Sequence, residues 1–128
     1  MSILAAAYPP NPMSLTEPQY LYLLENLIEK ILADGEISIG IARKKNRLFA
    51  VIALDEYEKG DLNLYLYCSA KQDFSVEVAS YDEDGLRQEN AFPLSAENTL
   101  IIPEGLRHLM QEAAAKEKDM VFKTGQIR

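Results

Sequence analysis

The chain reads as an α+β domain: an antiparallel β-meander of four to six strands, flanked by an N-terminal and a C-terminal helix. Three observations predict it. Apolar residues recur at every second position through four runs between residues 37 and 81. A stripe at helical spacing precedes those runs, and a second follows them. The gaps between the runs are short and rich in turn-forming residues, which joins neighbours as antiparallel hairpins. A length of 128 residues suits one domain.

The elements follow in order. Residues 1–16 read as an extended leader, because Pro9, Pro10 and Pro12 fit neither a helix nor a central strand. Met13 is a candidate second start, which would make Met1–Pro12 an extension. The single α+β domain then covers residues 17–128. A helix is predicted over Glu17–Ala33, with Thr16 as its N-cap, Pro18 in its first turn and Gly35 just past its end. Tyr20, Leu23, Leu24, Leu27, Ile28 and Ile31 form its apolar stripe.

Four strands follow. Ile37, Ile39 and Ile41; Leu48, Ala50, Ile52 and Leu54; Leu62, Leu64, Leu66 and Cys68; and Phe74, Val76 and Val78 share one buried face. Asp82-Glu83-Asp84-Gly85 is a turn, and residues 86–92 are polar enough for an edge strand. Leu100, Ile101 and Ile102 read as one more short strand before Pro103. A last helix is predicted over Glu104–Lys118, with Leu106, Leu109, Met110 and Ala113 facing inward. The tail from Asp119 to Arg128 holds Val121 and Phe122, which can dock on the body, and an end that should fray.

The formal net charge of −7 argues against a nucleic-acid partner, which requires a basic footprint. No apolar run approaches the roughly 20 residues of a membrane span. Cys68, the only cysteine, falls on the buried face, as a small hydrophobe does in a reducing compartment, and the cytoplasm is the default location. His108, the only histidine, falls on the outward side of the last helix. One histidine and one buried cysteine assemble no zinc set and no nucleophilic relay. The acidic turn lacks the ligand spacing of a calcium loop, and the glycines are dispersed rather than gathered in a phosphate-binding loop. The sequence therefore predicts neither a cofactor nor an enzyme.

Two features remain to carry function. A meander sorts its loops by end. One end collects Arg43, Lys44, Lys45, Arg47 and Lys71; the other collects Asp55, Glu56, Glu58, Asp61, Asp82, Glu83 and Asp84. Turn chemistry alone accounts for such residues. The alternative is a binding end, with the acidic loops steering a basic partner or the basic hairpin gripping carboxylates or phosphates. The second feature is the other sheet face, which mixes small residues with Phe49, Tyr65, Tyr67 and Tyr81. That composition suits a partner or homodimer surface, unless the last helix, leader or tail covers it.

Together these readings predict a non-enzymatic protein-binding module. Its size, acidity and helix–meander–helix order resemble in outline two groups of bacterial helper proteins. One is the small immunity proteins, and the resemblance implies an inhibitor that neutralises a partner protein. The other is the dimeric chaperones of secretion effectors, and the resemblance implies a dimeric adaptor. Those chaperones place a helix between the third and fourth strands, where Ala70–Asp73 leaves no room for one. A small-ligand carrier or enzyme with a pocket between the first helix and the sheet is the third expectation.

Overall fold

A computed structural model describes residues 14–57, 62–82 and 84–127, with the side chains of all of these except 54–57 and 62. The expected leader, apart from residues 14–16, and the candidate residues Glu58, Asp61 and Glu83 lie outside the described residues.

Helix α1 spans Glu17–Ala33. The Thr16 N–H donates to Gln19 Oε1 at 2.7 Å, which satisfies one of the backbone groups that a helix start leaves unpaired. Asp34 closes the helix, and Gly35 turns the chain away at φ +82°, a conformation open to glycine. Strands β1 (Glu36–Lys44), β2 (Arg47–Tyr57), β3 (Leu62–Ser69), β4 (Phe74–Tyr81) and β5 (Arg87–Pro93) form an antiparallel meander. The β1–β2 loop is the two-residue Lys45-Asn46, with φ of 51° and 64°. Positive φ at both positions is the hairpin geometry that matches strand twist. Between β3 and β4, the Ser69 hydroxyl oxygen accepts from the N–H groups of Lys71 and Asp73, both at 3.2 Å.

A short helix α2 (Ala96–Thr99), a longer helix α3 (Glu104–Lys116) and strand β6 (Met120–Lys123) complete the chain, with a 3-10 turn at Thr124–Ile127. The sheet order is β5-β4-β3-β2-β1-β6, so the C-terminal strand returns to flank β1. An α+β fold with a six-stranded antiparallel sheet and terminal helices is therefore the observed architecture.

Both long helices lie on one sheet face. Leu23, Leu24, Leu27, Ile28 and Ile31 of α1 and Leu106, Met110 and Ala113 of α3 share one apolar cluster with Ile37, Ile39, Ala50, Ile52, Leu64, Leu66, Cys68, Phe74, Val76 and Val78. Leu23, Leu24, Leu64, Leu66 and Val76 are fully buried, so side chains fill the layer between α1 and the sheet. Tyr20 stacks on Phe92 with ring centroids 4.4 Å apart, which ties edge strand β5 to α1.

Three expectations fail here. Leu100–Ile102 is not a strand. The Ser95 hydroxyl caps α2 by accepting from the Asn98 N–H at 3.1 Å, and successive turn bonds carry the chain to Pro103. Three consecutive apolar residues without alternation bury only Ile102 fully, and Leu100 stays exposed. Nor does the described end of the tail fray, and Val121 and Phe122 dock as part of β6. Asp119 accepts from the Ile41 N–H at 2.8 Å, β6 pairs with β1, and Ile127 is fully buried. The last helix is also shorter than expected. It ends at Lys116, because Glu117 adopts the left-handed conformation.

Gly105 explains how Ile127 is held. A Cβ at that position would lie 2.6 Å from the Ile127 carbonyl carbon and oxygen, so α3 accepts the tail only where a side chain is missing. Alanine in place of a helical glycine ordinarily stabilises by about 1 kcal/mol. Gly105→Ala should reverse that sign and cost about 1–3 kcal/mol through overpacking. Gly125→Ala, where nothing lies within 4 Å, is the control. Urea-unfolding midpoints that rise for Gly105→Ala would contradict this anchoring of the tail.

Candidate binding face

Because both helices occupy one side of the sheet, no described helix covers the other. Strand alternation fills that open face with Ser38, Gly40, Ala42 and Lys44; Arg47, Phe49, Val51 and Ala53; Asn63, Tyr65, Tyr67 and Ser69; and Ser75, Glu77, Ala79 and Tyr81. Arg87, Glu89, Ala91 and Pro93 extend it on β5, and Val121 and Lys123 extend it on β6.

Its centre is a buried carboxylate. The Glu77 side chain is 7 % exposed, yet it stands on the uncovered face. Neighbouring side chains bury it. Lys44 pairs with its Oε2, the Tyr67 hydroxyl donates to its Oε1 at 3.5 Å, and Arg87 lies 3.8 Å from the same oxygen. Lys44 belongs to β1 and Glu77 to β4, with two strands between them. The lysine bridges that distance by lying across Tyr67, its ammonium 4.9 Å from the ring centroid. Phe49 meets Tyr67 edge-on at 5.5 Å, and Tyr65 lies 6.1 Å away on the other side. Arg47 covers Phe49 at 5.3 Å, and Arg87 covers Tyr65 at 5.8 Å. Each cation gains from the negative face of its ring.

This arrangement sorts the expected aromatic residues. Tyr67 is itself buried, whereas Phe49 and Tyr65 are half-buried and Tyr81 is exposed. The contact area on offer therefore comes from Phe49, Tyr65 and Tyr81, with Tyr67 as their support. Glu77, Arg87 and Glu89 were not singled out by the sequence. Their signal was weak, because the period of two places Glu77 on this face without showing which cation reaches it.

The charged ends differ in how much of each is described. At the basic end, the Ala70 N–H donates to the Leu48 carbonyl at 3.2 Å, which brings the first and third turns together. A hollow of about 270 Å³ lies between them, lined by Arg43, Asn46, Arg47 and Lys71 among others. Arg43 lies 3.7 Å from Glu117, and both side chains are well exposed. At the acidic end, Asp82 serves the turn: its Oδ1 accepts from the N–H groups of Asp84 and Leu86, both at 2.9 Å. Asp84 is exposed. Asp55 and Glu56, expected in a turn, lie within β2, which runs on to Tyr57 through a register shift after Leu54.

His108 is exposed, 4.0 Å from Glu104 one helical turn away. Cys68 is buried, and burial together with the nearby Asp73 pushes its thiol up to about 12. Little thiolate exists there at neutral pH. Among the described residues, no three His, Cys, Asp or Glu side chains gather as metal ligands.

Two predictions follow from this chemistry. Lys44→Met strips Glu77 of its nearest cation and should cost about 1–3 kcal/mol, the penalty of leaving a buried acceptor short of a partner. Adding Glu77→Gln should recover part of that loss, and strictly additive losses in urea unfolding would refute the coupling.

The second concerns alkaline pH. Burial raises Tyr20, with Glu17 adding to it, and burial with Glu77 raises Tyr67. At Lys44, burial lowers the pKa, but Glu77 and Tyr67 outweigh it and the net shift is upward. With Cys68, all four groups hold their protons longer when folded than when unfolded. Stability should therefore be level below about pH 9, the ordinary thiol value, and fall as pH rises from there toward 12. Urea midpoints that rise from pH 8 to pH 10.5 would have the wrong sign.

No protein family, no curated protein and no solved structure matches this chain, so its reading rests on the geometry of this face.

Proposed function

We propose that the chain is a non-enzymatic protein-binding module that docks a partner protein on its open sheet face. The observation that carries this reading is the composition of a face with no described helix over it. Phe49, Tyr65 and Tyr81 offer aromatic area beside the small residues Ala42, Val51 and Ala53. A solvent face is ordinarily charged, whereas interface cores are enriched in aromatic residues and arginine. The ring and ion-pair lattice also holds Phe49 and Tyr65 in place before a partner arrives, which lowers the entropy cost of docking.

Other features support the same class. The layer between α1 and the sheet is filled by leucines, which disfavours a ligand pocket there. The one thiol is buried and strongly protonated. An immunity or inhibitor role, in which the module neutralises its partner by covering it, fits a preformed docking surface on a small acidic protein. A second copy of the chain is one admissible partner, as in a dimeric chaperone or adaptor.

The test is affinity capture from the source organism with three baits: wild type, Tyr65→Glu on the open face, and Glu104→Lys on the exposed side of α3. A partner should be held by the first and third baits and lost by the second, and the complex should rebuild from purified components. Sedimentation velocity of wild type against Tyr65→Glu covers the self-association case. A partner bound equally by all three baits, with a single sedimenting species common to all, would place recognition elsewhere.

A further inference from the structure

A groove of about 340 Å³ runs across the open face. Lys44, Lys45 and Arg47 form one wall, Glu89, Asn90 and Ala91 of β5 form the other, and Phe49, Tyr67, Ser75 and Glu77 line the floor. Ser75 gives the groove depth. It faces Tyr67 across the β3–β4 ladder, and its small side chain adds little height to that floor.

The charges in this groove do not balance. Glu77 is neutralised by Lys44, and Glu89 by Arg87. Among the described residues, neither Lys45 nor Arg47 has a carboxylate within ion-pair distance. Arg47 instead lies over the Phe49 ring. Lys71 stands beside Arg47 at the neighbouring hollow, also without a carboxylate partner among the described residues. In a chain with 20 acidic and 13 basic residues, unpaired cations gathered on one wall are a local inversion of the overall charge. Low-dielectric walls around such a cluster focus its field into the groove.

We infer that this groove receives an acidic segment of the partner protein, with a carboxylate on Lys45 and Arg47 and an apolar or aromatic side chain on Phe49, which Tyr67 supports from below. The inference rests on the docking reading of the open face and adds the partner's chemistry to it. Arginine binds a carboxylate through two parallel N–H donors, and its flat guanidinium keeps its stacking on Phe49 while doing so. Glu77 does not oppose the incoming charge, because Lys44, Tyr67 and Arg87 already surround it. The turn at this end supports the hairpin wall: two consecutive positive-φ residues fix Lys45 and Asn46, so Lys45 projects from a rigid hairpin rather than a loose loop.

The experiment is selection of short random peptides from a display library on immobilised wild-type protein, followed by binding measurements on the enriched sequences. Enriched peptides should carry Asp or Glu next to an apolar or aromatic residue. Their affinity should fall at least about tenfold on Arg47→Glu or Lys45→Glu and should weaken as salt rises. Both variants should melt with the wild type, since each replaces an exposed side chain. Enrichment of basic or neutral peptides, binding that survives both substitutions, or no enrichment at all would overturn the inference. The docking reading fails separately. A captured partner lost by Tyr65→Glu but kept by Arg47→Glu and Lys45→Glu would leave the face as the interface and remove the acidic segment.

Discussion

The apolar side chains of the sheet and of helices α1 and α3 meet in a single layer, and the described residues form no second one. Ala50 and Ile52 of β2, Leu64, Leu66 and Cys68 of β3 and Phe74, Val76 and Val78 of β4 point into it, as do Ile37 and Ile39 of β1 and Phe92 of β5. Strand register is thereby locked, because a slip by one residue would exchange leucines and isoleucines for Tyr65, Tyr67 and Glu77. The same one-sidedness leaves the opposite face without a covering helix among the described residues. A buried layer on one side thus creates both the stability of the domain and the surface on which its function is proposed.

On that surface, the Lys44–Glu77 pair does what a hydrophobic contact would not. Taking a carboxylate out of water costs several kcal/mol, and its partners offset that cost only with good geometry. Glu77 has three partners from three different strands: Lys44, Tyr67 and Arg87. A nonpolar replacement of similar volume would not tie β1 to β4 across the intervening strands. The charged network sets the direction of Lys44 and so holds the ring of Tyr67 under it. Phe49 and Tyr65 rest against that ring. The contact residues are ordered by a salt bridge that none of them belongs to.

The tail serves the fold in a comparable way. Strand β6 covers the edge of β1 that would otherwise present unpaired backbone groups, and edges of that kind invite aggregation. Gly105 lets the Ile127 backbone approach α3, and the Thr124 N–H reaches the Gly35 carbonyl at 3.0 Å. The end of the chain therefore closes against both the start of β1 and the last helix. Among the described residues, strand β5 remains the open edge, with charged Arg87 and Glu89 along it and Pro93 at its end.

The sequence by itself determined whatever depends on period and local chemistry. Helical spacing from Tyr20 to Ile31 defined α1 and its buried stripe, and alternation from Ile37 to Val78 defined four strands, their buried face and the meander. Turn residues placed the basic hairpin beside the third turn. Alternation also put Phe49, Tyr65, Tyr67 and Tyr81 together on the second face. Tertiary structure alone decided that both helices share one side, because an apolar stripe specifies that a face is buried and not which layer buries it. Only the fold could seat β6 against β1 and bury Ile127 in the space that Gly105 leaves. The same holds for the reach of Lys44 to Glu77 and for the cations left unpaired on the groove wall. These depend on contacts between residues dozens of positions apart, and no local pattern encodes a pairing at that range.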